Sequence, residues 1–240
     1  MPRLLQLDAL RGIAIVLMVI FNWSFALSFI GAIKGGPTNA MSLFSNTWLY
    51  WWLFPRIIAA SFITIAGISL ALSHEKIKYK PLKFIFKKYF LRGGKIFLLG
   101  LGITAVTYLT YQNYTIWFGI LHLIGLSIII SSFFLKYKKL SLLIGLAIIT
   151  AGIYIQAELP HLLWLLPFDF QTFDYFPLLP WSGFVFIGIF IGNCIKKSKS
   201  VHNMFIDKTV AFLGRHSLLI YIVHQPLLVA ILFLLGYAVI

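Results

Sequence analysis

The chain is 240 residues long, 60% hydrophobic and only 11% charged, with a mean hydropathy of +0.94. Soluble domains carry roughly 45–50% apolar and ~25% charged residues, so this composition excludes a soluble globular domain and calls for a bilayer. Twenty basic against six acidic residues give a formal charge of +14, but the cations lie between apolar runs rather than along a polar face, which argues against nucleic acid as a partner and makes them topology signals.

A helix needs ~20 mainly apolar residues to cross the hydrocarbon core. On that basis the expectation is an all-α integral membrane protein, a single domain of about seven transmembrane helices near residues 12–31, 48–72, 91–110, 115–134, 140–157, 177–195 and 215–237. The first run follows Arg3, Asp8 and Arg11. At ~20 residues it is longer than the apolar core of a secretion signal and no A-x-A site follows it, so it reads as an anchor. Asp8, Arg11 and Asn22 share one helical face, with Asn22 ~15 Å deeper than the charged pair. They form either a polar track or a snorkelling pair with an interhelical hydrogen bond.

In the second span Arg56 follows Phe54 and Pro55. Pro55 locally frees backbone carbonyls, and the guanidinium there needs those carbonyls, a carboxylate such as Asp174, or a substrate anion. The basic link Lys76 to Lys88 interleaves Ile77, Tyr79, Leu82, Phe84 and Phe86, as an interfacial helix would. Gly119, His122 and Gly125 are spaced by three in the fourth span, so the glycines let a neighbouring helix come close beside a histidine that is either a site residue or a satisfied packing residue. Gly183, Gly188 and Gly192 of the sixth span read as packing positions. The seventh span carries Ser217, Tyr221, His224 and Gln225 on one face, with Pro226 disturbing the ladder around His224; such a stripe lines a cavity or meets another helix. The single cysteine, Cys194, forms no internal disulfide, and without metal-ligand spacing no metal is expected.

Counting basic residues per link gives 18 of 20 on one side, leaving Lys34 on the other and Arg56 inside a span. The positive-inside rule then puts the amino terminus in the cytosol and the carboxyl terminus outside. The link 157–176 is the acidic one, with Glu158, Asp169 and Asp174. Trp48, Trp51, Trp52, Trp117, Trp164 and Trp181 fall near the outer interface, as an aromatic belt does. An ionisable group in the hydrocarbon region costs ~2.5–3.5 kcal/mol on insertion scales and marks function. Two polar zones result: Asn22, Arg56, His122, Asp174 and His224 toward the middle and outer half, and Asp8, Arg11, Arg215 and His216 at the cytosolic edge.

At these residues the chain resembles a known family. The segments RLLQLDALRGIAIVLMVIFNWSF (3–25), FPRIIAASFITIAGISLALS (54–73), FGILHLIGLSIII (118–130), DYFPLLPWSGFVFIGIFIG (174–192) and FLGRHSLLIYIVHQPLL (212–228) are similar to the heparan-α-glucosaminide N-acetyltransferase catalytic-domain family, a branch of the transmembrane acyltransferases. The resemblance covers nearly the whole chain and implies acyl transfer from cytosolic acetyl-CoA to an amino or hydroxyl group of an extracytoplasmic glycan or lipid-linked sugar. It implies that Asp8, Arg11, Arg92, Arg215 and His216 meet the CoA thioester, with lysines of the 76–95 link on its phosphates. It also implies that Asn22 orients the thioester or its oxyanion, and that Arg56, Tyr221, Gln225 and Trp181 bind the acceptor. The lysosomal relative has its catalytic histidine in the loop after the first span, whereas here residues 31–47 contain none. The expected base is therefore His122 oriented by Asp174, with His224 and His161 as substitutes. Larger relatives have more than seven spans, so the chain resembles a minimal core. Besides the bilayer, the expected partners are the thioester, the acceptor and, through small-residue faces, a second copy in a homodimer; the expected location is the cell membrane, as a multi-pass protein.

Two other function classes use the same residues. A transporter or flippase for an anionic or glycan substrate would use the buried Arg and His groups and broken helices, without dependence on CoA. A membrane scaffold would tolerate simultaneous replacement of His122 and Arg56.

Overall fold

The structure is a computed structural model that describes residues 5–30, 49–110, 112–158, 172–195 and 208–236. Every regular element among these residues is helical. They are α1 (Leu5–Phe29), α2 (Phe54–Glu75, entered through the π-helical turn Leu49–Leu53), α3 (Leu82–Thr110), α4 (Ile120–Ser131), α5 (Lys138–Glu158), α6 (Leu178–Ile195), α7 (Lys208–Arg215) and α8 (Ser217–Leu234). Short 3-10 turns occupy Gln112–Tyr114 and Ser132–Phe134.

Among the described residues, six helical segments are long and apolar enough to cross a membrane: Leu5–Ser28, Leu49–Glu75, Leu82–Thr110, Lys138–Ile155, Leu178–Ile195 and Ser217–Leu234. The expected fourth span falls on a helix shorter than these. Ile120–Phe134 is a shorter apolar helix, covering about 22 Å at 1.5 Å per residue against a core of ~30 Å. The cause is local: Gly119 is extended (φ −89°, ψ −175°) and starts the helix late. Ile120 to Gly125, Ser127, Ile128 and Ser131 are all buried. A helix enclosed by protein has no lipid-facing length to match.

Two other boundaries differ from expectation. The basic segment is no separate interfacial helix: turns occupy 76–80, and α3 then runs unbroken for 29 residues because nothing from Leu82 onward lacks a helix donor. The second segment changes from π- to α-helical at Phe54, so Pro55 stands inside the continuous run Leu49–Glu75, where its missing N–H leaves a preceding carbonyl without a helix donor. The last span starts at Ser217 rather than 215, because His216 (φ −102°, ψ 13°) separates α8 from the short helix α7 that precedes it.

The chain forms two compact units, Met1–Phe62 with His202–Ile240, and Ile63–Val201; the division falls within α2. In the first unit α1 packs on α7 and α8. A methyl group placed on Gly12 would overlap the carbonyl of Val210, and one on Gly214 the carbonyl of Asp8. Opposite the π-helical turn, Phe21 meets the rings of Tyr50, Trp51 and Phe54, and the Tyr50 hydroxyl donates to Ser24 Oγ at 2.7 Å.

In the second unit α5 packs on α6 and α3 on α4. The glycines expected to pack do so: Gly183 lies on Gly145, Gly188 on Thr64 and Gly67, Gly192 on Ala71 and Ile68, and Gly125 on Gly93 and Phe97. With tails as apolar as the helices, such close approach is what holds helices together in lipid. Leu179 is extended inside α6 (φ −100°, ψ 127°), the backbone a residue before proline favours.

Candidate functional site

In the second unit two of the expected site residues, His122 and Asp174, meet at the amino end of α4. Gly119 N–H donates to His122 Nδ1 at 3.2 Å, so His122 caps its own helix in the role usually taken by glutamate in a capping box. An accepting Nδ1 leaves the proton of the neutral ring on Nε2, which lies 3.4 Å from Thr104 Oγ1. Thr104 Oγ1 donates onward to Ile116 O at 2.5 Å, and Ile116 N–H donates to Thr107 Oγ1 at 3.1 Å. Thr104 and Thr107, one turn apart on α3, thus grip both sides of residue 116. Neither was a sequence-level candidate, although two threonines spaced i, i+3 in an apolar helix are a visible signal.

The imidazole is 2% exposed, stacked on Phe118 and edge-on to Phe97, with Gly100 flat against it. Asp174 joins the same turn one residue away: Ile120 N–H donates to its Oδ2 at 3.1 Å, and the missing side chain of Gly119 makes room for that carboxylate. His122 is therefore held by Gly119 and Thr104, and Asp174 holds the turn rather than the ring. Two backbone bonds, Phe173 N–H to Tyr114 O at 3.4 Å and Phe176 N–H to Phe118 O at 3.0 Å, bring the Asp174 segment alongside. Trp181 packs on Phe176 and Phe184. Removing the imidazole orphans buried polar groups, so His122→Ala is expected to cost about 1–3 kcal/mol, visible as a lower melting temperature in detergent.

In the first unit His224 is the distinctive group. Its Nδ1 lies 2.6 Å from Tyr221 O. A carbonyl only accepts, so Nδ1 carries the proton and Nε2 keeps its lone pair. That Nε2 is buried without a hydrogen-bond partner among the described residues. The Tyr221 ring stands 5.7 Å from the imidazole, whereas Gln225 on the same helix is exposed.

Asn22 turns back on its own helix, with Nδ2 2.9 Å from both Met18 O and Met18 Sδ. Arg56 donates to Trp52 O at 2.7 Å and lies 4.1 Å over the Trp52 ring; of the partners foreseen for it, it meets a backbone carbonyl. Asp8 is 4% exposed and pairs with Arg11 at 3.3 Å, under the backbone of Gly214. Next to that glycine, Arg215 sits over the Phe212 ring, and the ring of His216 packs on Phe212. The L-D-A-L-R-G and G-R-H-S segments are thus neighbours through their backbones. Arg92, the remaining expected thioester contact, is exposed on α3 of the second unit. His161, Trp48, Trp164 and the 31–47 loop lie outside the described residues.

Compared with known proteins, the chain matches over residues 3–226 the family model described as heparan-alpha-glucosaminide N-acetyltransferase, catalytic. No match was found among curated proteins or among solved structures.

Proposed function

Because the chain belongs to the heparan-alpha-glucosaminide N-acetyltransferase catalytic family, a family of multi-span membrane acetyltransferases that use acetyl-CoA, we propose that it moves acetyl from cytosolic acetyl-CoA to an amino or hydroxyl group of an extracytoplasmic glycan or lipid-linked sugar. The proposed orientation keeps the amino terminus cytosolic, on the basic side of the chain. Arg11, Arg215 and His216 of the first unit then face the thioester, with Asp8 fixing Arg11. On the far side Arg56, Tyr221 and Gln225 of the first unit serve acceptor binding.

The observation that carries the chemistry is the His224 tautomer. A pinned Nδ1–H and a bare Nε2 are the arrangement of a general base. His224 Nε2 takes the proton of the acceptor as its nitrogen or oxygen attacks the thioester carbonyl. Collapse of the tetrahedral adduct breaks the carbon–sulfur bond, and the imidazolium returns the proton to the departing thiolate, giving acetylated acceptor and CoA. The Asn22 amide donates to the oxyanion after swinging off Met18. His122, with both nitrogens already engaged, and Asp174 act as positioning groups for the α4 turn.

The test uses purified full-length chain in liposomes with acetyl-labelled acetyl-CoA and a panel of amino sugars and lipid-linked sugars. Labelled acceptor appearing with one equivalent of free CoA thiol is the expected result. Sugar crossing the bilayer with no dependence on CoA would replace this reading with a transporter.

A further inference from the structure

The helix that carries His224 is about as long as the hydrocarbon core is thick. Ser217–Leu234 has 18 residues, about 27 Å of helix against a core of ~30 Å, and Gln225 stands at its middle. At about 100° per residue α8 has two faces. Ser217, His224, Leu228 and Leu232 are buried on one; Leu219, Val223, Leu227 and Phe233 are exposed on the other. Gln225 falls on the border between them and is itself exposed. Half-buried Tyr221, one turn back, lies between Gln225 and His224 around the helix, its ring 5.7 Å from the imidazole.

Gln225 makes no hydrogen bond among the described residues, and a bare amide is costly against acyl chains. Pro226, within the helix, adds a second open group, because its missing N–H leaves the Ile222 carbonyl without a helix donor. An amide and a carbonyl thus stand open at mid-bilayer, next to the residue whose Nε2 is bare. The way in from the outer water is different in character. From Leu227 to Leu234 α8 has no polar side chain. On α1, Asn22 is turned onto Met18, and Ser24 is engaged with Ile20 O and the Tyr50 hydroxyl. A hydrated glycan descending that wall would shed its water and gain nothing in return. An amphiphile reaches the same depth sideways: its chain stays among the lipids, and its polar end passes onto the Gln225 amide and the Ile222 carbonyl.

We propose that the acceptor enters from the bilayer across the Gln225–Pro226 border of α8, and that it is a lipid-linked sugar rather than a water-borne glycan. The proposal rests on the acetyltransferase reading with His224 as base, and narrows its acceptor.

The full chain in nanodiscs is given acetyl-CoA and either glucosamine or glucosamine joined to a dodecyl chain. Partition alone enriches the second sugar in the disc, so rates are compared per acceptor in the membrane phase. The anchored sugar is expected to have a kcat/KM about tenfold or more above the free one. Val229→Trp places a large ring on the border one turn beyond Gln225 and should lower the anchored-sugar value about tenfold. Leu227→Trp adds the same ring to the lipid-facing side and should leave that value and the acetyl-CoA affinity unchanged. A diazirine on the first carbons of the chain, photolysed without acetyl-CoA, should mark α8 between Leu218 and Val229. Gln225→Leu is expected to cut that labelling severalfold and keeps the test open if Val229→Trp does not fold. Sideways entry is overturned if the two sugars have equal corrected kcat/KM, if the two tryptophan variants act alike, or if the label falls elsewhere. Transfer to both sugars alike without labelling of α8 sinks the entry route and leaves the enzyme reading intact. Labelling of this border in a chain that acetylates no acceptor sinks the enzyme reading and leaves the route.

Discussion

Replacing His224 with glutamine is expected to slow acetyl transfer about 10²–10⁴-fold, the range a positioned general base supplies, without a comparable loss of stability. The expectation rests on the division of labour between the two ring nitrogens. Nδ1 is committed to Tyr221 O at 2.6 Å, and Nε2 is buried with no partner among the described residues. Glutamine can keep one buried hydrogen bond but has no basic nitrogen. His122→Gln is the informative comparison, since His122 engages Gly119 and Thr104 with its two nitrogens and should lose stability before it loses chemistry. Initial rates and melting temperatures of both variants decide the matter. Full activity in His224→Gln beside a collapse in stably folded His122→Gln would return the base to α4.

The second large effect is expected at Gly214. A methyl group there overlaps the Asp8 carbonyl and crowds the backbone at Gly12, and one on Gly12 overlaps the carbonyl of Val210. These neighbours are main chain, so no rotamer change relieves the clash and α7 must move off α1. Overpacking costs typically 1–3 kcal/mol, and Gly214→Ala is expected at or above the upper end, with a clear drop in melting temperature and in yield of folded protein. Gly102→Ala is the control. Nothing lies within 4 Å of a Cβ there, and alanine exceeds glycine in helix propensity by roughly 0.8–1.0 kcal/mol, so that variant should melt at or slightly above wild type. Equal melting of the two variants would mean that the Gly12–Gly214 contact carries no stability. A folded Gly214→Ala should also disturb Asp8, whose carbonyl sits under the glycine, and with it the Asp8–Arg11 pair, and so weaken thioester binding more than acceptor binding.

Much of this architecture was legible in the residues. Long apolar runs can satisfy their backbone inside a bilayer only as helices, and the six segments of sufficient length among the described residues coincide with expected spans. Helix-spaced glycines in a membrane chain have few uses besides close packing, and Gly183, Gly188 and Gly192 lie at contacts. Only the length of the fourth span was misjudged, because hydropathy does not distinguish apolar residues facing lipid from apolar residues facing protein; Ile120–Phe134 is apolar yet short. The Lys76–Lys88 stretch was misread for a related reason: alternating lysine and aromatic residues fit an interfacial helix and the first turns of a longer helix equally well.

Within the candidate site, residue type announced His122 and His224 together, and periodicity put each on a plausible face. What separates them is a set of hydrogen bonds that no spacing encodes. The turn at Gly119 occupies one nitrogen of His122, Thr104 approaches the other, and the Tyr221 carbonyl fixes the tautomer of His224. Thr104 escaped notice because a threonine in a membrane helix ordinarily bonds its own helix; only the fold carries Ile116 back to meet it.

By itself the sequence determined the class, the membrane solvent, the family and the short roll of ionisable residues, since each follows from composition, from the energy of burying charge in lipid, or from motifs contiguous in the chain. The tertiary structure decided which ring nitrogen is free, which carboxylate caps which helix, and that Lys88 meets Ser73. Those outcomes turn on distances of an ångström between residues far apart in the chain, and backbone packing sets them.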